Sequence, residues 1–222
     1  MVRAQTPRLA GRRVTLTLPG VDVLPVEHAR QRALSQWWTP PELAARVAHL
    51  ALDGTRFPSV LEPAAGAGAL VDAVLAARPL ARVTALELDP AWARHLTAAY
   101  VREPVRVVEA DFLTATLAPV DVVVMNPPYE NGLDGAFLER AMELAPRVVA
   151  LLRLNALVGQ ERHERVWSRI GRGWHLDVVA YLARRPVFLA AGAATDGAKS
   201  DFVAVRLTQG TRARKTRTEW WT

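Results

Sequence analysis

From position 41 onward the chain alternates between two hydrophobic rhythms. In Pro41 to Leu52, Leu43, Val47, Leu50 and Ala51 recur at helical spacing. Prolines suit the first turn and Gly54 the stop, so the spacing predicts an amphipathic helix with Thr39 as its N-cap. Short runs rich in aliphatic residues follow at Ser59 to Glu62, Arg82 to Glu87, Val105 to Glu109, Val120 to Met125 and Val148 to Leu152. Helical segments near 68–78, 90–100 and 134–145 separate them, and such alternation predicts a parallel sheet covered by helices. Two further runs, His175 to Leu182 and Ser200 to Leu207, read as strands. In the second, Phe202, Ala204 and Arg206 alternate with Val203, Val205 and Leu207, which suits a closing hairpin at the sheet edge. The expected architecture is α/β: a mostly parallel seven-stranded sheet, helices on both faces and an antiparallel C-terminal hairpin.

The flanks lack this rhythm. Residues 1–35 are basic and broken by Pro7, Pro19, Gly20 and Pro25, which predicts an irregular arm, and residues 209–222 are expected to form a basic, mobile tail. One domain, 36–208, lies between, as a chain of 222 residues suggests. No apolar run approaches the roughly 20 residues of a membrane span, and no apolar stretch follows the N-terminal arginines as a secretory signal would require. A cytoplasmic, membrane-free protein is expected. The net charge of +6 is concentrated at the two ends, an arrangement suited to a polyanion such as nucleic acid. The chain has no cysteine, which excludes disulfides, thiolate metal sites and a thiol nucleophile; no metal is expected.

Three strand ends carry the candidate chemistry. Val60-Leu61-Glu62-Pro63-Ala64-Ala65-Gly66-Ala67-Gly68 runs from a strand through a small-residue loop into a helix, where Gly66 and Gly68 allow close approach of a ligand. The dinucleotide fingerprint is broken, because its third small position is Val71. Glu87 ends the second strand, where a carboxylate can accept from ribose hydroxyls; Asp111-Phe112 ends the third, offering an acceptor and a ring to an adenine. Asp89, before Pro90, is better read as a helix cap. Lastly Asp121 to Met125 runs into Asn126-Pro127-Pro128-Tyr129. Two prolines make this turn rigid and leave the Asn126 amide oxygen and the Pro127 carbonyl to act as acceptors. They suit the two protons of a planar amino nitrogen, whose lone pair could then attack a sulfonium methyl, with Tyr129 stacked on the target.

On these residues the chain resembles the class I, Rossmann-like S-adenosylmethionine-dependent methyltransferases, and among them the amino-methyltransferases with an Asn-Pro-Pro-Tyr motif. Gln36-Trp37-Trp38-Thr39-Pro40 is similar to the upstream motif of gamma-type adenine-N6 DNA methyltransferases, and Arg184 to Phe188 with Asp201-Phe202-Val203 to the C-terminal motif of small phage and prophage members. The resemblance implies S-adenosylmethionine as cofactor, held by Thr39, Pro40, Glu62, Pro63, Ala64 and Gly66 together with Gly68, Glu87, Leu88, Asp111, Phe112 and Asn126. It makes Asn126, Pro127, Pro128 and Tyr129 catalytic. Trp38, Arg185, Phe188, Arg212 and Arg214 would contact nucleic acid, with Phe188 against a flipped base and Arg185 on a phosphate. DNA is the preferred substrate. RNA adenine or guanine, cytosine N4, a protein glutamine and a catalytically silent binding protein are the alternatives. Cytosine-C5 methylation is excluded with the missing thiol. No separate reading domain fits in the length, so a short or relaxed target is expected, with a specificity partner or a homodimer as helper.

Overall fold

A computed structural model describes residues 38–56, 58–188, 200–211 and 215–222. The expected 1–35 arm, Arg212 and Arg214 lie outside the described residues.

The first helix, α1 (Pro41–Leu52), buries Leu43, Val47, Leu50 and Leu52 against the sheet. Each such side chain contributes roughly 1.5–3 kcal/mol on burial. Its cap differs from the expected one: Pro40 holds the N-cap position without any side-chain capping bond, and Thr39 lies one residue outside the helix. The two prolines preset the first turn, where the helix has no internal use for their missing N–H groups. Parallel strands β1 (Ser59–Glu62), β2 (Arg82–Glu87) and β3 (Val105–Glu109) match the sequence reading in their bounds. Then come β4 (Val122–Met125) and β5 (Arg147–Arg153), the former two residues shorter than expected. Val120 and Asp121 leave the ladder because Asp121 closes the sheet's lower end, accepting from Ser59 N and Ser59 Oγ at 2.8 and 2.7 Å.

Helices α2 (Ala69–Ala77), α3 (Pro90–Ala99) and α4 (Leu133–Leu144) connect the strands. Asp89 caps α3 as expected, accepting from Ala91 N at 2.8 Å. A short helix, α5 (Gln160–Arg165), follows β5, and the chain returns through β6 (Trp174–Leu182) and β7 (Phe202–Gln209). The strand order is β3-β2-β1-β4-β5-β7-β6-β8, in which β7 alone runs antiparallel to both neighbours.

Two expectations are corrected here. The hairpin of β6 and β7 is not at the edge, because a further strand pairs with the outer side of β6. The sheet also has eight described strands rather than seven: β8 (Arg217–Trp221), within the segment expected to be a mobile tail, pairs in parallel with β6 from Val178↔Arg217 to Leu182↔Trp221. Aromatic contacts reinforce that ladder. Trp220 lies 5.1 Å from the Tyr181 ring, and the Arg46 guanidinium sits 6.0 Å over Trp221 while donating to the Thr222 carbonyl at 2.9 Å. A Trp-Trp end was legible as apolar, but which element it would pair with was not.

The sheet separates two cores. One faces α1 and α2, the other α4 and the 160–170 segment, so the carboxyl ends of the parallel strands are left open between them. Ligands of open α/β sheets bind at such ends.

Candidate active site

A cavity of about 270 Å³ opens where β1, β2 and β4 end. Glu62, the last residue of β1, is buried in its wall. One carboxylate oxygen accepts from Ala64 N at 3.1 Å, and the other, Oε2, has no hydrogen-bond partner. Burial pushes the Glu62 carboxyl up to about 8; the Ala64 N–H opposes this shift and the nearby Glu87 charge adds to it.

The glycine loop is held by its neighbours as much as by its own turns. Glu87 accepts from Gly66 N at 2.7 Å and from Asp89 N at 2.8 Å, tying the ends of β1 and β2 together. Burial raises the Glu87 carboxyl, and these N–H groups pull the other way. Gly66 lines the cavity, as expected. Gly68 does not; at φ +93° a Cβ there would lie 2.3 Å from Tyr100 Oη, so packing is what requires glycine. Tyr100 in turn donates to Asp72 at 2.6 Å and reaches the Gly68 carbonyl at 3.2 Å. Tyr100→Phe should cost about 1 kcal/mol, lowering Tm by about 2–4 °C in a chain of this size. A calorimetric scan checks it, and an unshifted Tm would show that Tyr100 is not a brace.

Among the other expected cofactor contacts, Thr39, Pro63, Ala64, Leu88, Asp111 and Phe112 line the cavity. Leu88 is more than half exposed there, an apolar side chain at the mouth awaiting cover. Phe112 packs on Phe137 with rings 4.9 Å apart. Pro40 does not line the cavity; its carbonyl serves α1, accepting from Ala44 N. Leu133 and Phe137 of α4 also wall the space, a pair the sequence reading missed. The signal was available, since α4 starts four residues past Tyr129 and its first turns must lie beside the Asn126 turn.

At that turn, Asn126 and Pro128 line the cavity while Pro127 and Tyr129 do not. Asn126 Nδ2 donates to Thr39 Oγ1 at 3.0 Å, and the Tyr129 hydroxyl donates to Asn126 Oδ1. Tyr129, expected to stack on the target, is instead buried, with its ring edge-on to Phe202 at 5.5 Å. Burial pushes the Tyr129 hydroxyl well above its ordinary value, with Arg153 opposing the shift. Arg153 was missed in the sequence. It ends the apolar β5 and sits 4.8 Å over the Tyr129 ring, 3.7 Å from Glu130. A lone charge closing a buried strand was the available sign.

Of the residues expected on nucleic acid, the three that are described, Trp38, Arg185 and Phe188, do not form one surface. Trp38 is buried in the cavity wall, packed edge-on against Trp92 at 4.8 Å and over Gly66. Phe188 is a core residue, 4.9 Å from Phe202. Both rings are large and apolar, and the interior gains more from them than an open surface does. Arg185 is exposed, as expected of a phosphate contact, but pairs with Asp201 at 2.8 Å. No group of acidic, histidine or cysteine side chains among the described residues could hold a metal ion.

No family model matches the chain. It is 37% identical to the release factor glutamine methyltransferase of Chlorobaculum tepidum over 114 residues, 46% of this chain and 38% of that protein. The chain thus spans well under half of that relative. Among solved structures, a Pyrococcus horikoshii protein taken to be an RNA methyltransferase matches with a TM-score of 0.68 at 20% identity, covering 86% of this chain and 94% of that one. A type I restriction-modification methyltransferase subunit from Streptococcus thermophilus matches at 0.63 and 16% identity, covering 80% of this chain and 45% of its own. The chain has the class I S-adenosylmethionine-dependent methyltransferase fold. S-adenosylmethionine is the cofactor that goes with this fold, and the cavity of this methyltransferase-fold chain fits it. Glu62 Oε2 lacks a donor and the buried Trp38 Nε1 lacks an acceptor, and both residues line the cavity. An amino-acid end bearing an ammonium and a carboxylate would satisfy both.

The raised Glu62 carboxyl has a consequence for pH. Its value in the folded chain lies above the unfolded 4.5, so the stabilisation is fully present below 4.5 and is lost as pH rises towards about 8. Glu62→Gln should flatten the fall in Tm between those limits. An ammonium beside Glu62 would favour its charged form, so cofactor binding near pH 7 should release a proton. Titration calorimetry in two buffers of different ionisation enthalpy measures that release; identical heats would remove Glu62 from the cofactor site.

Proposed function

We propose that the chain transfers a methyl group from S-adenosylmethionine to the N6 amino nitrogen of adenine in DNA. The observation that carries this reading is the placement of the Asn126 amide. It stands at the end of β4, on the wall of the cavity that Glu62, Glu87 and Asp111 also line, behind a backbone made rigid by Pro127 and Pro128.

When bound, S-adenosylmethionine supplies a methyl group on a positively charged sulfur. Asn126 Oδ1 accepts one amino proton of the target, which localises the nitrogen lone pair and orients it; Pro127, which does not line the cavity, stiffens the turn instead of holding the second proton. Positive charge growing on the nitrogen as it took the methyl group from the sulfonium would be stabilised by this fixed oxygen. One proton then leaves to solvent, giving N6-methyladenine and the neutral thioether. Tyr129 serves by holding Asn126, not by stacking. The basic balance of the chain suits either nucleic acid, and the likeness to a restriction-modification methyltransferase subunit is what favours DNA. With Trp38 and Phe188 committed to packing, few of the expected base contacts remain, which supports a short or relaxed target, or a partner that reads it.

A second reading has its own support. The 37% identity to a glutamine methyltransferase favours a side-chain amide, which is also a planar nitrogen with two protons. A tritiated-methyl transfer assay with DNA, RNA and protein pools separates the readings. Label in DNA, mapped to adenine N6, is the expected result; label only in RNA or only in protein would overturn it.

A further inference from the structure

The turn that leads into α1 meets the Asn126 turn at one point. The buried Thr39 hydroxyl accepts from Asn126 Nδ2 at 3.0 Å, across 87 residues of sequence. At the other end of the same amide, the Tyr129 hydroxyl donates to Oδ1 and lies 3.3 Å from the Leu151 carbonyl. We propose that Thr39 is a positioning residue, holding the plane of the Asn126 amide so that Oδ1 keeps its second lone pair aimed at the nitrogen to be methylated. The inference rests on the methyl-transfer reading and adds to it a residue that acts through another.

The terminal torsion of an asparagine has a broad, roughly two-fold profile, so its amide plane is set by its hydrogen bonds and not by its rotamer. Tyr129 restrains the oxygen end only. A contact at the nitrogen end adds restraint on the plane from the opposite side of the amide. Such alignment matters because a fixed acceptor helps only if it already stands where the charged nitrogen will need it.

Thr39 is suited to supply the second contact. Pro40 and Pro41 follow it with fixed backbone torsions, Pro40 at φ −57°, and α1 is anchored by its buried face. The hydroxyl is therefore placed by a rigid lead-in. Its oxygen can accept, which the isosteric valine cannot do; valine would take that acceptor away from the part-buried Nδ2. Serine keeps the oxygen.

The test compares Thr39→Val and Thr39→Ser with the unaltered chain, using Asn126→Ala as reference. Thr39→Val should lower kcat by about tenfold to a hundredfold, a larger change than any in Kd for S-adenosylmethionine, whose cavity Thr39 also lines. Thr39→Ser should restore most of the rate. A second readout needs no turnover. In the nitrogen-15-labelled chain, the Asn126 side-chain amide signal, assigned by its loss in Asn126→Ala, should exchange slowly with solvent in the unaltered and serine forms and rapidly in the valine form. A raised Kd with unchanged kcat would make Thr39 a cofactor ligand and overturn the proposal, as would unchanged exchange. If the chain methylates no pool, the function reading fails on its own and amide exchange still decides Thr39. Thr39→Ala with the same readouts replaces the valine variant should that one not fold.

Discussion

Asn126→Ala should lower kcat by about two to three orders of magnitude while leaving S-adenosylmethionine binding nearly intact. The substitution removes the acceptor that both orients the target nitrogen and faces its growing positive charge. The cofactor side of the cavity, with Glu62, Gly66 and Glu87, is untouched. The fold should tolerate the change. The Tyr129 hydroxyl keeps the Leu151 carbonyl, and Thr39 loses a donor but retains a proton of its own to give. Single-turnover transfer rates set against calorimetric binding provide the measurement. A rate within tenfold of the unaltered chain would rule Asn126 out as the group that contacts the target nitrogen.

The largest expected loss of stability comes from Arg162→Ala. Asp134, in the first turn of α4, is 1% exposed, and Arg162 of α5 donates to it three times at 2.9 to 3.2 Å. Removing the arginine strands a carboxylate that keeps only the Gly135 N–H. An unpaired buried charge costs about 3 kcal/mol or more, which lowers Tm by on the order of 10 °C in a chain of this length. Because α4 follows directly on the Asn126 turn, activity should fall with it. Asp134→Asn combined with Arg162→Ala should recover much of the Tm, since the stranded charge is then gone. A double variant as unstable as Arg162→Ala would show that the arginine matters for its packing instead.

The parts of the fold legible in the sequence are those where burial dictates residue type. Val60-Leu61 and Val122 to Met125 are enclosed on both faces and read as strands because nothing polar interrupts them. The Glu62 and Glu87 positions were legible for a related reason, as each is the acid that ends a strand, while Asp111 follows the end of β3 by two residues. What stayed hidden depends on distance across the fold. That Thr39 meets Asn126, that Tyr100 fills the space beside Gly68, and that Arg153 lies over Tyr129 are properties of the assembled sheet. Aromatic residues misled for the same reason. The composition of Trp38 and Phe188 says that they seek contact, but only the packing says whether the contact is a base or the core.

The insertion of β7 between β5 and β6 also bears on how the chain is made. Val148 to Leu152 are completely buried in the finished sheet, and β5 ends at Arg153, whereas its antiparallel neighbour begins only at Phe202. On the ribosome, at roughly 5–20 residues per second, the apolar edge of β5 therefore stands uncovered for some seconds before the strand that covers it emerges. During that interval the nascent chain presents an open, valine- and leucine-rich strand edge, the kind that pairs with other chains. Slower synthesis lengthens that interval, so on overexpression the yield should respond to chaperones that occupy the edge.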